Sequence, residues 1–367
     1  LACAGMIFIL AGCATPTPAL PATAVPSATA VPSAPAVPSA AAAPSEPPPA
    51  STTAPSSGAA PLITVQNAGS LTATALTLPD WPQNFLWPGA DAPLPAAFSP
   101  RPGLILRIGN TLYPVQLDPP ALGNPAPLSF SGDQIAFSPD LSSVLTFSQN
   151  SPATLSDLTG KPLKTLTIPM PYGASFSPDG KLAAVSSGNE LVAFLFDVDS
   201  GQGVAKLTGF QTAAPVYSVG ILPGNQSIYW QARNNFQLQD IKTGQLGPKL
   251  SYQDFIGSLA FTPDGQRLVV FVAPTLYLYS LPDLKELTQL TLSQPARSLS
   301  ISPDGRLLAA SYGPGIQIFD LGEQHDSLLP AASLTGPNDS TTQVAFSPDG
   351  RTLVSQHSNN IIEIWKA

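Results

Sequence analysis

Five aspartates recur in one setting: Asp140, Asp179, Asp264, Asp304 and Asp349 each follow a proline, and four of the five precede a glycine. Carboxylates build general acids, general bases and metal sites, so the first question is whether these residues make a multi-acid centre. Their spacing argues against it. Taking the proline as marker gives Pro100, Pro139, Pro178, Pro223, Pro263, Pro303 and Pro348, separated by 39, 39, 45, 40, 40 and 45 residues. Chemistry does not need equivalent acids at one interval, whereas a repeated structural unit does. In Ser-Pro-Asp-Gly the proline ring presets φ for a turn, the aspartate bonds back to nearby N–H groups, and the glycine accepts positive φ. The aspartates are read as turn residues, not catalytic carboxylates.

Little else in the chain could carry catalysis. There are two histidines, His325 and His357, and two cysteines, Cys3 and Cys13. Both histidines are expected to be solvated loop residues. No Gly-x-Ser-x-Gly elbow, phosphate-cradling glycine loop or His/Cys cluster at metal-ligand spacing is present. The sequence predicts no enzyme, no cofactor and no metal.

The elements around the turns are short. Each unit has an apolar run before the marker and two after it, as in LAAVSS (182–187) and LVAFLFD (191–197), with Gly, Asn or Asp between. Such alternation with turn residues every 8–12 positions predicts strands, and Trp230 lies within one as a core residue. The period, the segments V-Y-S-V-G-I-L-P-G-N (216–225) and Q-V-A-F-S-P-D-G-R-T-L-V (343–354), and the D-x-x-(T/S)-G strand endings together resemble WD-repeat β-propellers in a divergent bacterial form. Asp197, Asp240 and Asp320 stand where that family has its Trp-Asp pair. The family's Gly-His dipeptide is missing, so its buried His-Asp network is not expected, and Arg101 and Leu141 break the turn motif in the first two units.

The resemblance implies an all-β, seven-bladed propeller over 62–367. In the family order the marker ends strand a of a unit, and strands b, c and d follow. After the last marker only b (351–356) and c (361–366) remain, so the seventh blade lacks its outer strand. The alternating run LTATALTL (71–78) is the expected donor, closing the ring and covering a sheet edge. In this topology the loops carrying His325 and His357 lie on opposite faces, so the pair cannot share a metal.

Ahead of the repeats the composition changes twice. Residues 1–12 form an uncharged apolar run ending Leu10-Ala11-Gly12-Cys13, which resembles an incomplete lipoprotein signal peptide with its lipobox. Cys13 would receive the lipid and become the mature first residue. Residues 13–61 read as a tether: from 14 onward they hold thirteen prolines and Glu46 as the sole charge, too little apolar surface to offset ordering entropy. The repeats contain no cysteine, in keeping with an exported domain without disulfides. A net charge of −8 argues against a nucleic-acid partner.

The expected role is therefore a non-catalytic binding or scaffold module, monomeric, held outside the cytoplasm on a bacterial membrane or envelope by lipid on Cys13, with a protein partner. A propeller hydrolase or lactonase with a channel metal is the alternative, and a cell-envelope assembly factor a third reading. In WD-repeat proteins the loops from d to the next a commonly hold partners; Asp91, Met170, Asp254, Phe255 and Asp339 fall there. DWPQNFLWP (80–88) crowds Trp81, Phe85 and Trp87 into the first connection, where the rings either pack on the propeller or supply its first strand, or else form an exposed contact patch.

Overall fold

The computed structural model describes residues 61–88, 94, 98, 102–128, 134–148, 151–187, 191–210, 216–324, 326–336 and 340–367. The strands fall into seven antiparallel sheets, each joined internally from neighbour to neighbour. Blade 5 shows the pattern: Ile256–Phe261 (a), Arg267–Val272 (b), Thr275–Ser280 (c) and Glu286–Thr291 (d) pair in that order. Strand b reads R-L-V-V-F-V and is buried along nearly its whole length. Leu268, Val270 and Val272 pack towards blade 4 while Val269 and Phe271 pack towards blade 6. A strand with both faces buried needs a continuous apolar run rather than alternation, which explains the runs seen in the sequence.

Seven apolar clusters follow from this, one in each wedge between neighbouring blades. The last wedge, where Val354, Ile362 and Ile364 of blade 7 meet Leu104, Leu106 and Val115 of blade 1, joins the last blade to the first. The fold is a closed seven-bladed β-propeller. First strands of adjacent blades meet directly: Val344 N and Phe346 N donate to Ser298 Oγ and Ser300 Oγ at 3.3 and 3.0 Å.

Closure uses the expected segment. Thr72–Thr77 pairs antiparallel with Ile361–Lys366, from Thr72 opposite Lys366 to Thr77 opposite Ile361. Its side chains are mostly exposed, so the strand is held by its backbone ladder and by Leu71 and Leu78, both buried, at its two ends. The chain reaches this position through Ile63, whose N–H donates to Gly350 O at 2.9 Å, and the short 3-10 turn Ala68–Ser70. Ile63, Ala68 and Leu71 complete the wedge between blades 6 and 7.

Blade 1 departs from the expected frame. Its first strand is Asn84–Leu86, pairing with Leu104–Ile108, so it ends well before the marker Pro100, which lies outside the described residues. Prolines at 88, 93, 95, 100 and 102 explain the shift, since none can donate to a ladder. The outer position is likewise split between Pro120–Leu122 and Ala126–Pro127, both pairing with Thr111–Leu117.

His357 corrects the sequence reading. It is not a solvated loop residue but the last residue of strand b in blade 7, Thr352–His357, and is 0% exposed. Its Nε2 faces Glu363 Oε2 at 2.9 Å and Ser355 Oγ at 3.1 Å, while Nδ1 lies 3.4 Å from Thr341 Oγ1. Trp365 Nε1 donates to the same Ser355 Oγ at 2.9 Å. The loop from blade 6 makes room for this network with Gly336, where a Cβ would sit 2.6 Å from His357 Cε1 and 2.8 Å from Glu363 Oε2. A buried polar group is tolerated once it is bonded, and every member here has a partner.

Two outcomes follow for stability. Deleting residues 62–78 removes a strand's ladder, the buried anchors Ile63, Ala68, Leu71 and Leu78, and the cover of a sheet edge, and is expected to lower the melting temperature of the whole domain by roughly 10 °C or more. Unaltered melting would show that the ring does not depend on this strand. His357→Ala strands a buried carboxyl group and should cost about 3 kcal/mol in denaturant unfolding, with Glu363→Gln, which keeps an acceptor, costing less.

Candidate functional site

The recurrent turns resolve as a repeated clamp. In blade 3, Ser177 Oγ donates to Asp179 Oδ1 at 2.7 Å, Lys181 N donates to that oxygen at 3.1 Å, and Leu182 N donates to Ser177 Oγ at 2.9 Å. The same three bonds recur around Asp264, Asp304 and Asp349, with Thr262, Ser302 and Ser347 as the hydroxyl partners. The serine or threonine thus acts with the aspartate. The hydrogen bond from Ser177 holds the Asp179 carboxyl below the usual carboxylate range. A carboxyl kept ionised and occupied by its own turn is poorly suited to proton transfer.

Asp197 and Asp240, at the ends of their c strands, do the same for the turns to strand d. Asp197 Oδ1 accepts from Ser200 Oγ at 2.6 Å and N at 2.8 Å, and Asp240 Oδ1 from Thr243 N at 2.7 Å and Oγ1 at 2.8 Å. These bonds lower both carboxyls. Asp320 is lowered by the Arg306 guanidinium, whose Nε donates to it at 2.9 Å. All three are structural.

Ser355, His357 and Glu363 have the composition of a hydrolytic triad without its geometry. A relay places the serine and the acid on opposite ring nitrogens. Here both meet Nε2, the serine oxygen is engaged by Trp365, and the ring is sealed from solvent. The arrangement packs blade 7. His325 lies outside the described residues, and among the described residues no three His, Cys, Asp or Glu side chains gather as ligands for one metal ion.

The predicted binding positions separate. Asp91 and Asp339 lie outside the described residues. Met170 and Phe255 are both exposed, at 43% and 52%, in the loops entering blades 3 and 5, which open on the same face. Asp254 stands beside Phe255, also exposed. The sequence missed Arg233, in the turn between strands b and c of blade 4, whose guanidinium carbon lies 3.8 Å from the centre of the Phe255 ring. Its backbone carbonyl also accepts from Ile256 N at 3.0 Å. A stacked cation of this kind, worth about 0.5–1 kcal/mol at an exposed site, favours one orientation of the ring. The signal was in the topology: strand b of one blade ends on the face where strand a of the next begins.

The three rings of DWPQNFLWP do not form one patch. Phe85 lies in the first strand of blade 1, and both Phe85 and Trp87 pack on the wedge between blades 7 and 1. Trp81 is half-buried ahead of that strand. Trp87 emerges at the opposite face from Phe255, lining a cavity of about 320 Å³ with Leu117, Pro348 and Asp349. Trp230 is fully buried, its Nε1 donating to Gln239 Oε1 at 2.8 Å.

Comparison with known proteins fits this geometry. The family profile "WD domain, G-beta repeat" matches residues 329–366, which run from the outer strand of blade 6 through strands a, b and c of blade 7. Small ribosomal subunit protein RACK1 of Candida albicans is 28% identical over 122 residues, 32% of this chain and 38% of that protein. Periodic tryptophan protein 2 of Saccharomyces cerevisiae is 30% identical over 109 residues, 29% of this chain and 12% of that protein. Target of rapamycin complex subunit wat1 of Schizosaccharomyces pombe is 30% identical over 67 residues, 18% of this chain and 21% of that protein. The chain therefore spans well under half the length of each of these relatives. The matched repeat and the closed ring of seven sheets, six of them four-stranded, together support a WD-repeat β-propeller.

Proposed function

We propose that this protein is a non-catalytic scaffold that holds a protein partner on the face carrying Phe255, while lipid on Cys13 keeps it at a membrane outside the cytoplasm. The observation that carries the binding half is Phe255 itself, 52% exposed and stacked against Arg233. An exposed aromatic whose orientation is already biased by a stacked neighbour is the type of residue that anchors protein interfaces. Asp254 beside it supplies a charge for orientation. Similarity to proteins named as a ribosomal subunit protein and a complex subunit favours work within an assembly. The membrane half rests on Leu10-Ala11-Gly12-Cys13 and on the proline-rich stretch that follows.

Each half has its own test. Asp254→Ala with Phe255→Ala should leave circular dichroism and melting unchanged and weaken a partner captured by pull-down from solubilised membranes at least tenfold, about 1.4 kcal/mol; undiminished binding by the folded variant would remove the site from this face. With a complete signal peptide restored, the protein should partition into detergent and carry a diacylglyceryl mass on Cys13 that Cys13→Ala abolishes. An unmodified Cys13 in mature membrane-extracted protein would refute the anchor.

A further inference from the structure

The rim of the propeller carries a feature that partner binding on the loop face does not use. The outer strands of blades 2, 3 and 4 are Pro162–Leu166, Gly203–Leu207 and Leu246–Ser251. Each holds one lysine, Lys164, Lys206 or Lys249, and no acidic residue. Each also exposes a large aliphatic side chain: Leu163 at 45%, Val204 at 50% and Leu246 at 41%. In a chain of net charge −8, residues 161–249 hold seven basic and five acidic residues, a local +2. The rim of these blades is thus apolar and cationic where the protein as a whole is anionic.

On blade 3 the rim contains a cavity. The pairing of strands c and d shifts register between Leu195 and Phe196, opposite Ala205 and Gly203. Gly203 brings no side chain to the widened site, and a cavity of about 300 Å³ opens there, lined by Phe194, Phe196, Val204 and Lys206. Phe194 and Phe196 are half-buried, so they give it an apolar floor. The Lys206 ammonium lies 5.4 Å from the centre of the Phe194 ring. From blade 2, the stem of Lys164 reaches Gly201, where a Cβ would lie 2.6 Å from its Cγ, and this places a second lysine beside the wedge. The nearby Asp197 carboxylate is turned into its own turn, accepting from Ser200. Gly203–Leu207 is also the last strand of its sheet, so one side of its backbone is an open edge.

We infer that this rim of blade 3 is a docking groove for an extended acidic peptide, one apolar side chain of which enters the cavity over Phe194 and Phe196 while its carboxylates face Lys164 and Lys206. The edge strand provides main-chain hydrogen bonds, the cavity selects the side chain, and the lysines select charge, which is the division of labour in strand-addition recognition. A neutral apolar surface would not choose among peptides; an aromatic cavity with Lys206 in its wall, and the stem of Lys164 running past the neighbouring Gly201, does. The groove is on the rim rather than the loop face, so this inference and the Phe255 site stand or fall separately.

The test uses the full chain and a fluorescein-labelled Asp-Glu-Phe-Glu-Asp peptide, with Asn-Gln-Phe-Gln-Asn as the uncharged counterpart, read by anisotropy at low salt. Saturable binding is expected for the acidic peptide and at least tenfold weaker binding for the neutral one, with the difference shrinking as salt screens the lysines. Gly203→Leu should weaken binding at least tenfold by filling the cavity; a Cβ at this position meets nothing within 4 Å, so folding should be retained. Lys164→Glu with Lys206→Glu, both at exposed positions, should do the same through charge. The proposal is overturned by no saturation up to about 1 mM, a free energy of only about −4 kcal/mol, or by equal binding to folded Gly203→Leu. It is also overturned if phosphatidylserine vesicles bind wild type and Gly203→Leu alike and displace the peptide, which would make the rim a lipid-facing surface, or if sedimentation shows a dimer that Gly203→Leu dissolves, which would make the occupant a second copy.

Discussion

Every blade of this domain has its two faces buried by its two neighbours, and so no blade is complete until the ring is. A free-standing four-stranded sheet with the composition of blade 5 would present Leu268, Val270 and Val272 on one side and Val269 and Phe271 on the other, all of them buried in the closed ring. The hydrophobic stabilisation of each wedge, about 25 cal/mol for each Å² of apolar surface removed from water, is available only if the next blade is in place. In an open ring one wedge would be lost and its two faces exposed. Thr72–Thr77, pairing with Ile361–Lys366 across almost the whole described chain, is the junction on which the other six wedges depend. Much of the local design of blade 7 serves that junction. Ile63, Ala68 and Leu71 plug the wedge on one side, Leu78 meets the other, and the His357, Glu363, Ser355 and Trp365 network fixes the strand against which the closing strand pairs.

Within this constraint the repeat is free to vary in its side chains as long as each turn is held. Blade 2 has Leu141 where the turns of blades 3, 5, 6 and 7 have glycine, and it adopts φ +58. A left-handed leucine costs about 1–2 kcal/mol, offset here by burial of the side chain to 2% exposure in the wedge between blades 1 and 2. Blade 4 lacks the aspartate; Asn225 takes the left-handed position and donates from Nδ2 to Asp179 Oδ2 of blade 3 at 2.9 Å. Successive turns also abut one another, as at Gly265, where a Cβ would lie 3.2 Å from Pro223 of the preceding blade. Proline and glycine in S-P-D-G therefore serve two turns at once, one by shaping its own corner and one by meeting its neighbour.

This explains what the sequence made legible. Period, strand order, blade number and the closing partner were all readable, because each depends on backbone rules that leave local marks: proline and glycine at corners, apolar runs between them, and a last unit one strand short. What stayed hidden depends on which side chains meet across blades. His357 looks like a loop residue in Q-H-S-N-N, and only the approach of Gly336 and Glu363 shows it to be buried. Arg233 and Phe255 are in different blades, and their stack exists because two loops open on one face. Trp81, Phe85 and Trp87 are close in sequence but divided by a strand that carries the chain from one face to the other. The first strand follows one of the two sequence signals and not the other: the marker Pro100 is present, but the prolines around it leave the strand at Asn84–Leu86, within DWPQNFLWP.

The domain that results is a closed frame with variable loops and rims, and among its described residues no three His, Cys, Asp or Glu side chains gather as ligands for one metal ion. The scaffold role proposed above requires the frame to be one cooperative unit. Native-state hydrogen exchange tests that condition most directly. The amides of Thr72–Thr77 that bond to Ile361–Lys366 should exchange only through the same global opening as those of Arg267–Val272 in blade 5, with matching free energies and matching dependence on denaturant. Exchange of the Thr72–Thr77 amides by a low-energy local opening, while blade 5 remains protected, would contradict a ring whose integrity rests on that pairing.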